Sequence, residues 1–247
     1  MKKALVFLFS FVFFVPLLCK TPSPKEIVDK AEDAIKGKTS KGIFTMRVVR
    51  PEFKREVTMK SWWKGDEKAL IVIKEPAKDR GNKTLKIGNE MWNYLSNTET
   101  TMKIPSSMML QSWYGSDLTN QDIVRESKLS EDYKIEMMFE EKIGGKECWK
   151  LRLTPKPDVP VVWGKIYYWV RQEDHLPALV QYYSEKGELI RTFKFRNFQV
   201  MDGRKIPTVW RIESNTKEGH YTEFEYNDVE FNVDIPDRIF SFRQLEK

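Results

Sequence analysis

Histidine, cysteine and glycine-rich loops are scarce in this chain, and each scarcity removes a class of chemistry. Only 2 histidines occur in 247 residues, His175 and His220, both in turn-like stretches. There is no His-Glu-x-x-His, no Cys-x-x-Cys pair and no Asp/Asn-rich calcium loop, so a dedicated metal site is not expected. A Ser-His-Asp triad would have to recruit one of the two histidines, and no serine stands in a Gly-x-Ser-x-Gly turn. Gly115-Ser116-Asp117 resembles a nucleophile turn only in outline and reads as a helix break with polar caps. Gly144-Gly145 is a hairpin turn rather than a phosphate loop. No catalytic constellation and no cofactor is expected, and the chain reads as a non-enzyme.

Cysteine is as sparse, at 2 residues, Cys19 and Cys148. Cys19 closes a leader, so Cys148 has no partner and no intrachain disulfide braces the fold. Flanked by Glu147 and Trp149, Cys148 has no activating base and reads as an inert buried thiol. Charge of one sign is also thin. The net charge of +6, two units of it from Lys2 and Lys3, is spread along the chain rather than blocked. That is too dilute for nucleic acid and better suited to weak attraction by anionic lipid headgroups. There is no linker, no low-complexity run and no internal repeat beyond strand spacing.

The single long apolar run is Ala4–Leu18, behind Lys2 and Lys3. It has the length of a secretory leader and is short for a membrane span, so residues 1–19 read as a targeting segment and 20–247 as one exported domain. Pro16-Leu17-Leu18 precedes Cys19, whereas a lipoprotein leader usually places Gly, Ala or Ser before its cysteine. Lipidation at Cys19, simple cleavage and retention as an anchor all remain open at this point.

What the chain does have is aromatic residues, at 13% with 8 Trp, which require a large core, a cavity or an interface. Thr21–Lys36 is a helix by its spacing of Ile27, Val28, Ala31, Ala34 and Ile35, entered at Ser23 or Lys25 beside Pro24 and stopped by Gly37. From Gly42 onward the period changes from 3.6 to 2. Runs such as Ile43–Arg50, Arg55–Lys64, Lys68–Lys74, Cys148–Thr154, Leu189–Phe198 and His220–Val229 are separated by hairpin-sized gaps. They predict a mainly β protein: an up-and-down antiparallel sheet or barrel of about ten or eleven strands. In Arg55–Lys64, Val57, Met59, Ser61 and Trp63 share one face, and Thr58, Lys60 and Trp62 the other.

The stretch Trp92–Val124 stands apart. It opens as a strand, with Trp92, Tyr94 and Ser96 on one face and Met91, Asn93 and Leu95 on the other. It then passes through Ile104-Pro105 into Met108, Met109, Leu110 and Trp113. Pro105, with Ser106 or Ser107 as cap, predicts a short helix, and Asp117 or Thr119 can cap another turn through Val124. Thioethers beside an indole suit a surface that moulds itself around variable apolar shapes, and they serve equally well to plug an ordinary core.

The run W-N-Y-L-S-N-T, followed by K-I-P-S-S-M-M-L-Q-S-W-Y-G-S-D-L-T-N-Q-D-I-V, resembles the bacterial outer-membrane lipoprotein-sorting family, relatives of LolA and LolB. Members carry a similar W-x-Y-x-P stretch, then a Gln followed by an aromatic and a Gly-Ser-Asp-aromatic-Thr run. Here Leu118 stands where an aromatic is common and Ser96 where Pro is usual. The terminal Asp237-Arg238-Ile239-Phe240-Ser241-Phe242 is similar to the family's D-x-x-F-x-F ending, and Ile239, Phe240 and Phe242 are expected to pin the C-terminus on the barrel's edge.

The resemblance implies an incompletely closed β-barrel whose N-terminal helix and short helical lid cover an apolar cavity for acyl chains. It further implies a periplasmic carrier, or an outer-membrane acceptor if Cys19 is lipidated. The partners would be lipoprotein or lipid acyl chains, an inner-membrane transporter and a transient membrane contact, with the protein itself a monomer. Each buried methylene is worth roughly 0.8 kcal/mol, so three chains need a large and unselective pocket. The candidate lipid-binding residues are Phe44, Met46, Met59, Trp63, Trp92 and Tyr94 from strand faces, and Met108, Met109, Leu110 and Trp113 from the lid. A one-residue error in any strand would swap its faces. A carrier of free lipid or glycolipid, an exporter accessory protein, and a structural envelope protein with a filled core are the other readings.

Overall fold

The computed structural model of the protein describes residues 22–125 and 128–247. The leader and Cys19 lie outside the described residues. The first element is α1, Pro24–Lys36, and its start is set locally. Ser23 accepts from the Glu26 backbone N–H at 3.3 Å while the Glu26 carboxylate accepts from the Ser23 N–H at 2.8 Å, a capping box. Ile27, Val28 and Ala31 are fully buried. The Arg204 guanidinium donates to the carbonyls of Asp33 and Ala34 at the C-terminal end, where the helix leaves acceptors unfilled.

Thirteen strands follow: β1 Thr39–Val49, β2 Lys54–Lys64, β3 Lys68–Glu75, β4 Lys83–Ile87, β5 Glu90–Leu95, β6 Thr100–Lys103, β7 Tyr133–Ile143, β8 Lys146–Pro155, β9 Lys165–Arg171, β10 Pro177–Tyr183, β11 Leu189–Met201, β12 Arg204–Ser214 and β13 Tyr221–Phe231. They form one antiparallel sheet in the order β6-β5-β4-β3-β2-β1-β13-β12-β11-β10-β9-β8-β7. The expectation of ten or eleven strands was too small. No strand was expected at the four-residue β6, because its polar Thr100, Thr101 and Lys103 carry no apolar alternation.

Two meanders meet at the β1–β13 seam, the one neighbouring pair that is not consecutive in the chain. At that seam the register slips between Ile43 and Phe44. A Cβ on Gly42 would lie 2.6 Å from the Asp228 carbonyl oxygen, so only glycine permits this approach.

The sheet is a curled, open one rather than a barrel: its edges β6 and β7 do not pair. Met91 of β5 and Leu151 of β8, from opposite wings, nonetheless share one buried cluster with Ile27 of α1 and Trp113. The inner face therefore wraps around α1 and the segment that follows β6. Because β6 and β7 are consecutive in the chain, residues 104–132 must bridge the two open edges. That bridge is the cover of the inner face. It contains a 3-10 turn at Ser106–Met108, another at Trp113–Gly115, α2 at Asn120–Val124 and α3 at Leu129–Asp132. The first is a single turn with Pro105 at its entry and no side-chain cap, not the capped helix expected there. No helix among the described residues is long and apolar enough to cross a membrane.

The outer face of β3–β5 carries its own apolar cluster. Leu70, Leu85 and Tyr94 are covered there by Ile235, Phe240 and Leu245 of the C-terminal tail, with Ile239 half-buried beside them. The tail ends in a 3-10 turn, Asp237–Phe240, and α4, Phe242–Leu245. It lies across the face of the sheet rather than at an edge. Phe242 is not buried there; it is 43% exposed and sets its ring edge-on against Trp92 at 5.0 Å.

Candidate functional site

A hollow of about 310 Å³ remains between the inner face of the sheet, α1 and the bridge. Its wall is set by β-register. Arg191, Phe193 and Phe195 alternate along the inward face of β11, and Phe224 and Tyr226 along that of β13. Cross-strand pairing places Trp210 of β12 opposite both Phe195 and Phe224, and Phe44 of β1 opposite Tyr226.

The result is an unbroken belt of rings across five strands. Centroid separations run 5.1 Å from Trp163 to Tyr182, 5.3 Å to Phe193, 6.5 Å to Phe195, 5.5 Å to Trp210 and 5.7 Å to Tyr226. Phe44 closes it at 6.4 Å from Tyr226 and 6.0 Å from Phe224. Edge-on and tilted contacts of this kind let the rings support one another without filling the space in front of them. Phe193 and Phe224 are buried, whereas Trp63, Phe195, Trp210 and Tyr226 are half-buried. Burial pushes the Tyr226 hydroxyl up to about 12.

The bridge closes one end of the hollow through a small hairpin. Ser112 and Thr119 form an isolated β-bridge. Inside it the Trp113 N–H donates to the Leu118 carbonyl at 2.8 Å, and the Ser116 hydroxyl to the Trp113 carbonyl at 2.6 Å. Gly115, at φ +73°, makes the reversal. Gly115-Ser116-Asp117 is thus a turn stabilised by its own side chains. Trp113 points inward, 1% exposed, with its indole N–H 3.4 Å from the Thr84 hydroxyl.

Polar contacts hold this cover to the sheet. Thr119 caps α2, its hydroxyl accepting from the Asp122 N–H at 3.2 Å while the Asp122 carboxylate accepts from the Thr119 N–H at 2.8 Å. The same carboxylate takes two bonds from the Arg191 guanidinium, at 2.5 and 2.6 Å. Burial works to raise the Asp122 pKa, but Arg191 and the Thr119 donors win and hold it below the usual carboxylate range. The guanidinium lies over three rings, 4.5 Å from Trp163, 4.7 Å from Tyr182 and 5.1 Å from Phe193. A second pair, Arg50–Asp117 at 3.0 Å, fixes the hairpin to the β1–β2 end, and the Thr222 hydroxyl donates to Asp117 at 2.6 Å. Glu32 of α1 is buried on the hollow's wall and accepts from the Leu129 N–H at 3.0 Å; burial pushes its carboxyl above the usual range.

Of the residues singled out by sequence, the structure brings Phe44, Trp63 and Trp113 to the wall of the hollow. Met46 and Met59 face the same way but are fully buried in the packing beneath it. Met108 and Met109 lie half-buried against that packing, and Leu110 is 63% exposed on the outside of the bridge. Trp92 and Tyr94 do not face the hollow. They point to the outer face, under the tail, and Met91 takes the inward position. Period-2 alternation separates two faces without saying which is inner, and on β5 both faces are apolar.

The belt residues Tyr182, Phe193, Phe195, Trp210, Phe224 and Tyr226 were not anticipated. Their signal was the spacing Phe193-x-Phe195 and Phe224-x-Tyr226, in strands whose faces carry mixed charge on both sides. The Asp122–Arg191 pair spans 69 positions and has no sequence signal.

The described residues hold no group of His, Cys, Asp and Glu that could bind a metal. Cys148 is a free, fully buried thiol with its pKa raised by burial.

An open, curled antiparallel sheet with an apolar hollow beneath a bridging cover defines the LolA-like fold. Residues 65–247, more than half of the chain, match a family model described as uncharacterized protein-like, and the chain belongs to that family. No curated protein matches the sequence. The chain is similar to a DUF1329 family protein from Desulfovibrio piger, at 24% identity over 90% of this chain and 97% of that one, with a TM-score of 0.80. It is similar to a LolA superfamily protein from Nitrosomonas europaea, at 24% identity, 91% and 100% coverage and a TM-score of 0.74. A candidate outer membrane lipoprotein-sorting protein domain from Vibrio parahaemolyticus gives 20% identity, 91% and 98% coverage and a TM-score of 0.77. At these identities the likeness is one of fold, and it agrees with the resemblance read from the Trp92–Val124 block.

Proposed function

We propose that this protein is an exported, non-enzymatic carrier or acceptor that shelters acyl chains of lipoproteins during their transfer to the outer membrane. The observation that supports this most directly is the hollow of about 310 Å³, faced by a belt of rings and covered by a bridge held through polar contacts. A sheet with two apolar faces must cover both; here the inner cover leaves space where side chains could have met. That space argues against the reading of a filled structural core, since small-ligand pockets span about 300–1,000 Å³.

At the lower end of that range, the hollow accommodates a single chain, and a triacylated cargo requires the bridge to swing away. That swing releases the Arg50–Asp117 and Arg191–Asp122 pairs to water and uncovers Ile104, Trp113, Ile123, Val124 and Leu129, surface that acyl chains of the cargo would cover. The leader at residues 1–19 supports export to the periplasm, and lipidation at Cys19 would separate an anchored acceptor from a soluble shuttle.

Native mass spectrometry of protein purified from envelope fractions, with lipid extraction, tests the proposal. Co-purifying lipoprotein, or acyl chains released only on denaturation, is the expected result. A clean apo mass, together with no uptake of a fluorescent fatty acid, would overturn it. The intact mass of the same sample reads out whether Cys19 carries acyl groups.

A further inference from the structure

We infer that the hollow is built for an amphiphile whose chain ends in an oxyanion, a carboxylate or a phosphate, seated at Arg191 with Arg125 beside it. The inference rests on the carrier reading and names the chemistry of its ligand. Arg191 is a buried charge in the wall, with 7% of its side chain exposed. Asp122 occupies its two terminal nitrogens and leaves its Nε–H buried with no acceptor. Arg125, directly after α2, also lines the hollow and carries a buried Nη2 with no acceptor. Buried donors are almost always paired, so two orphaned guanidinium N–H groups in the wall of one cavity point to an oxygen that arrives with the ligand.

Charge points the same way. The two guanidinium groups of the wall each have a single carboxylate beside them, Asp122 at Arg191 and Asp132 at 3.8 Å from the Arg125 Nε. An oxyanion accepts from the orphaned guanidinium donors through charge-assisted bonds. A hydroxyl head would accept from the same donors through a weaker bond.

Register supplies the path for the tail. Arg191, Phe193 and Phe195 lie on the inward face of one strand, so an extended chain leaving the head passes a ring about every 7 Å. It then meets Trp210 and Tyr226, whose half-buried rings face the open part of the hollow. Ring faces tolerate any alkyl chain, so the belt sets length and the guanidinium groups set head chemistry.

The test titrates the delipidated mature chain at pH 8 with dodecanoate, dodecyl phosphate and 1-dodecanol, following displacement of a fluorescent alkyl probe. The two anions are expected to bind about tenfold more tightly than the alcohol. The tighter of the two identifies a fatty-acid-like or a phospholipid-like source. In Arg125→Gln and in Arg191→Lys, which keeps a cation opposite Asp122 but removes the Nε donor, the gap is expected to shrink to about twofold. Equal affinity of alcohol and anions for the unaltered protein would overturn the inference and leave the carrier reading standing. Failure of all three to bind would remove both. Circular dichroism confirms that each variant is folded, and Arg125→Gln, which leaves the Arg191–Asp122 pair in place, decides if Arg191→Lys is not.

Discussion

The two faces of the sheet are built from the same kinds of residue and end in opposite states. On the outer face, Trp92 and Tyr94 lie under Phe240, Phe242 and Leu245, and the chain's own tail fills the surface it covers. On the inner face, Trp210 and Tyr226 lie under α1 and the bridge, and a hollow is left. The covers differ in how they are held. The tail inserts apolar side chains directly among Leu70 and Leu85, helped by the Lys83 ammonium on the Gln244 and Leu245 carbonyls. The bridge packs Ile104, Trp113, Ile123, Val124 and Leu129 into the inner core and adds the ion pairs Arg50–Asp117 and Arg191–Asp122 and the Thr119 cap. Both covers pack apolar side chains onto the sheet, but only the inner one leaves a hollow and adds buried ion pairs at its margin.

The largest effect should come from the sealed face. Phe240 is 4% exposed, and Phe240→Ala is expected to cost about 3–5 kcal/mol of stability in chemical denaturation. Uptake of an alkyl probe by the folded fraction should be unchanged. Loss of uptake at full foldedness would break the separation between the two faces. Next comes the fastening of the cover. Asp122→Asn leaves the Arg191 guanidinium without its counter-charge, at about 3 kcal/mol, the low end for a broken buried pair because Asp122 keeps a fifth of its side chain exposed. Hydrogen exchange should localise the loss to residues 111–125, with the outer tail still protected. Uniform loss of protection would mean that the bridge is part of the global core.

A smaller change in stability and a larger one in binding are expected within the belt. Trp210 is half-buried and faces space, so Trp210→Ala should cost only about 1–2 kcal/mol, less than a fully packed indole. Alkyl-probe affinity should fall severalfold, measured by titration beside Phe240→Ala. A stability loss as great as that of Phe240→Ala would show that Trp210 is a core residue like any other.

Much of this contrast could be read from the chain, and the unread part has a common cause. Two helix starts were legible to within a pair of candidates: Ser23 rather than Lys25 and Thr119 rather than Asp117 are the caps, because capping needs only one side chain and an N–H three residues on. The alternation of Val57, Met59 and Trp63 against Trp62 was legible because only one face of β2 is continuously apolar. Trp92 and Tyr94 were assigned inward and lie outward, since a sheet covered on both sides offers two apolar faces and no local way to rank them. The same ambiguity hid the belt: Phe193, Phe195, Trp210, Phe224 and Tyr226 become one surface only once β11, β12 and β13 are in register. Position 105 reads as a helix start, yet the bridge is stretched between two sheet edges and completes only a single turn there.

The remaining prediction concerns two carboxyls in the inner cover, whose pH responses should have opposite sign. Asp122 has its pKa lowered in the folded protein, so its contribution to stability is present above the unfolded value of about 3.9 and is lost as pH falls through the folded value. Glu32 is the reverse. Burial raises its pKa; Lys36, Arg125 and the Leu129 N–H pull it down without prevailing, and Asp66 adds to the rise.

The folded protein therefore holds the Glu32 proton more tightly than the unfolded chain does. Stability from that proton is full below the unfolded value of about 4.3 and is lost as pH rises through the folded value. At neutral pH, Glu32 is a small net cost carried by α1. Glu32→Gln keeps the acceptor for the Leu129 N–H and removes the ionisation, so it should raise the melting temperature at pH 7.5 and leave it unchanged near pH 4. A lower melting temperature at pH 7.5 would show instead that the ionised carboxylate is a needed partner for Arg125. The sealed outer face serves as the internal reference, since Phe240→Ala should shift the midpoint by a similar amount at both pH values.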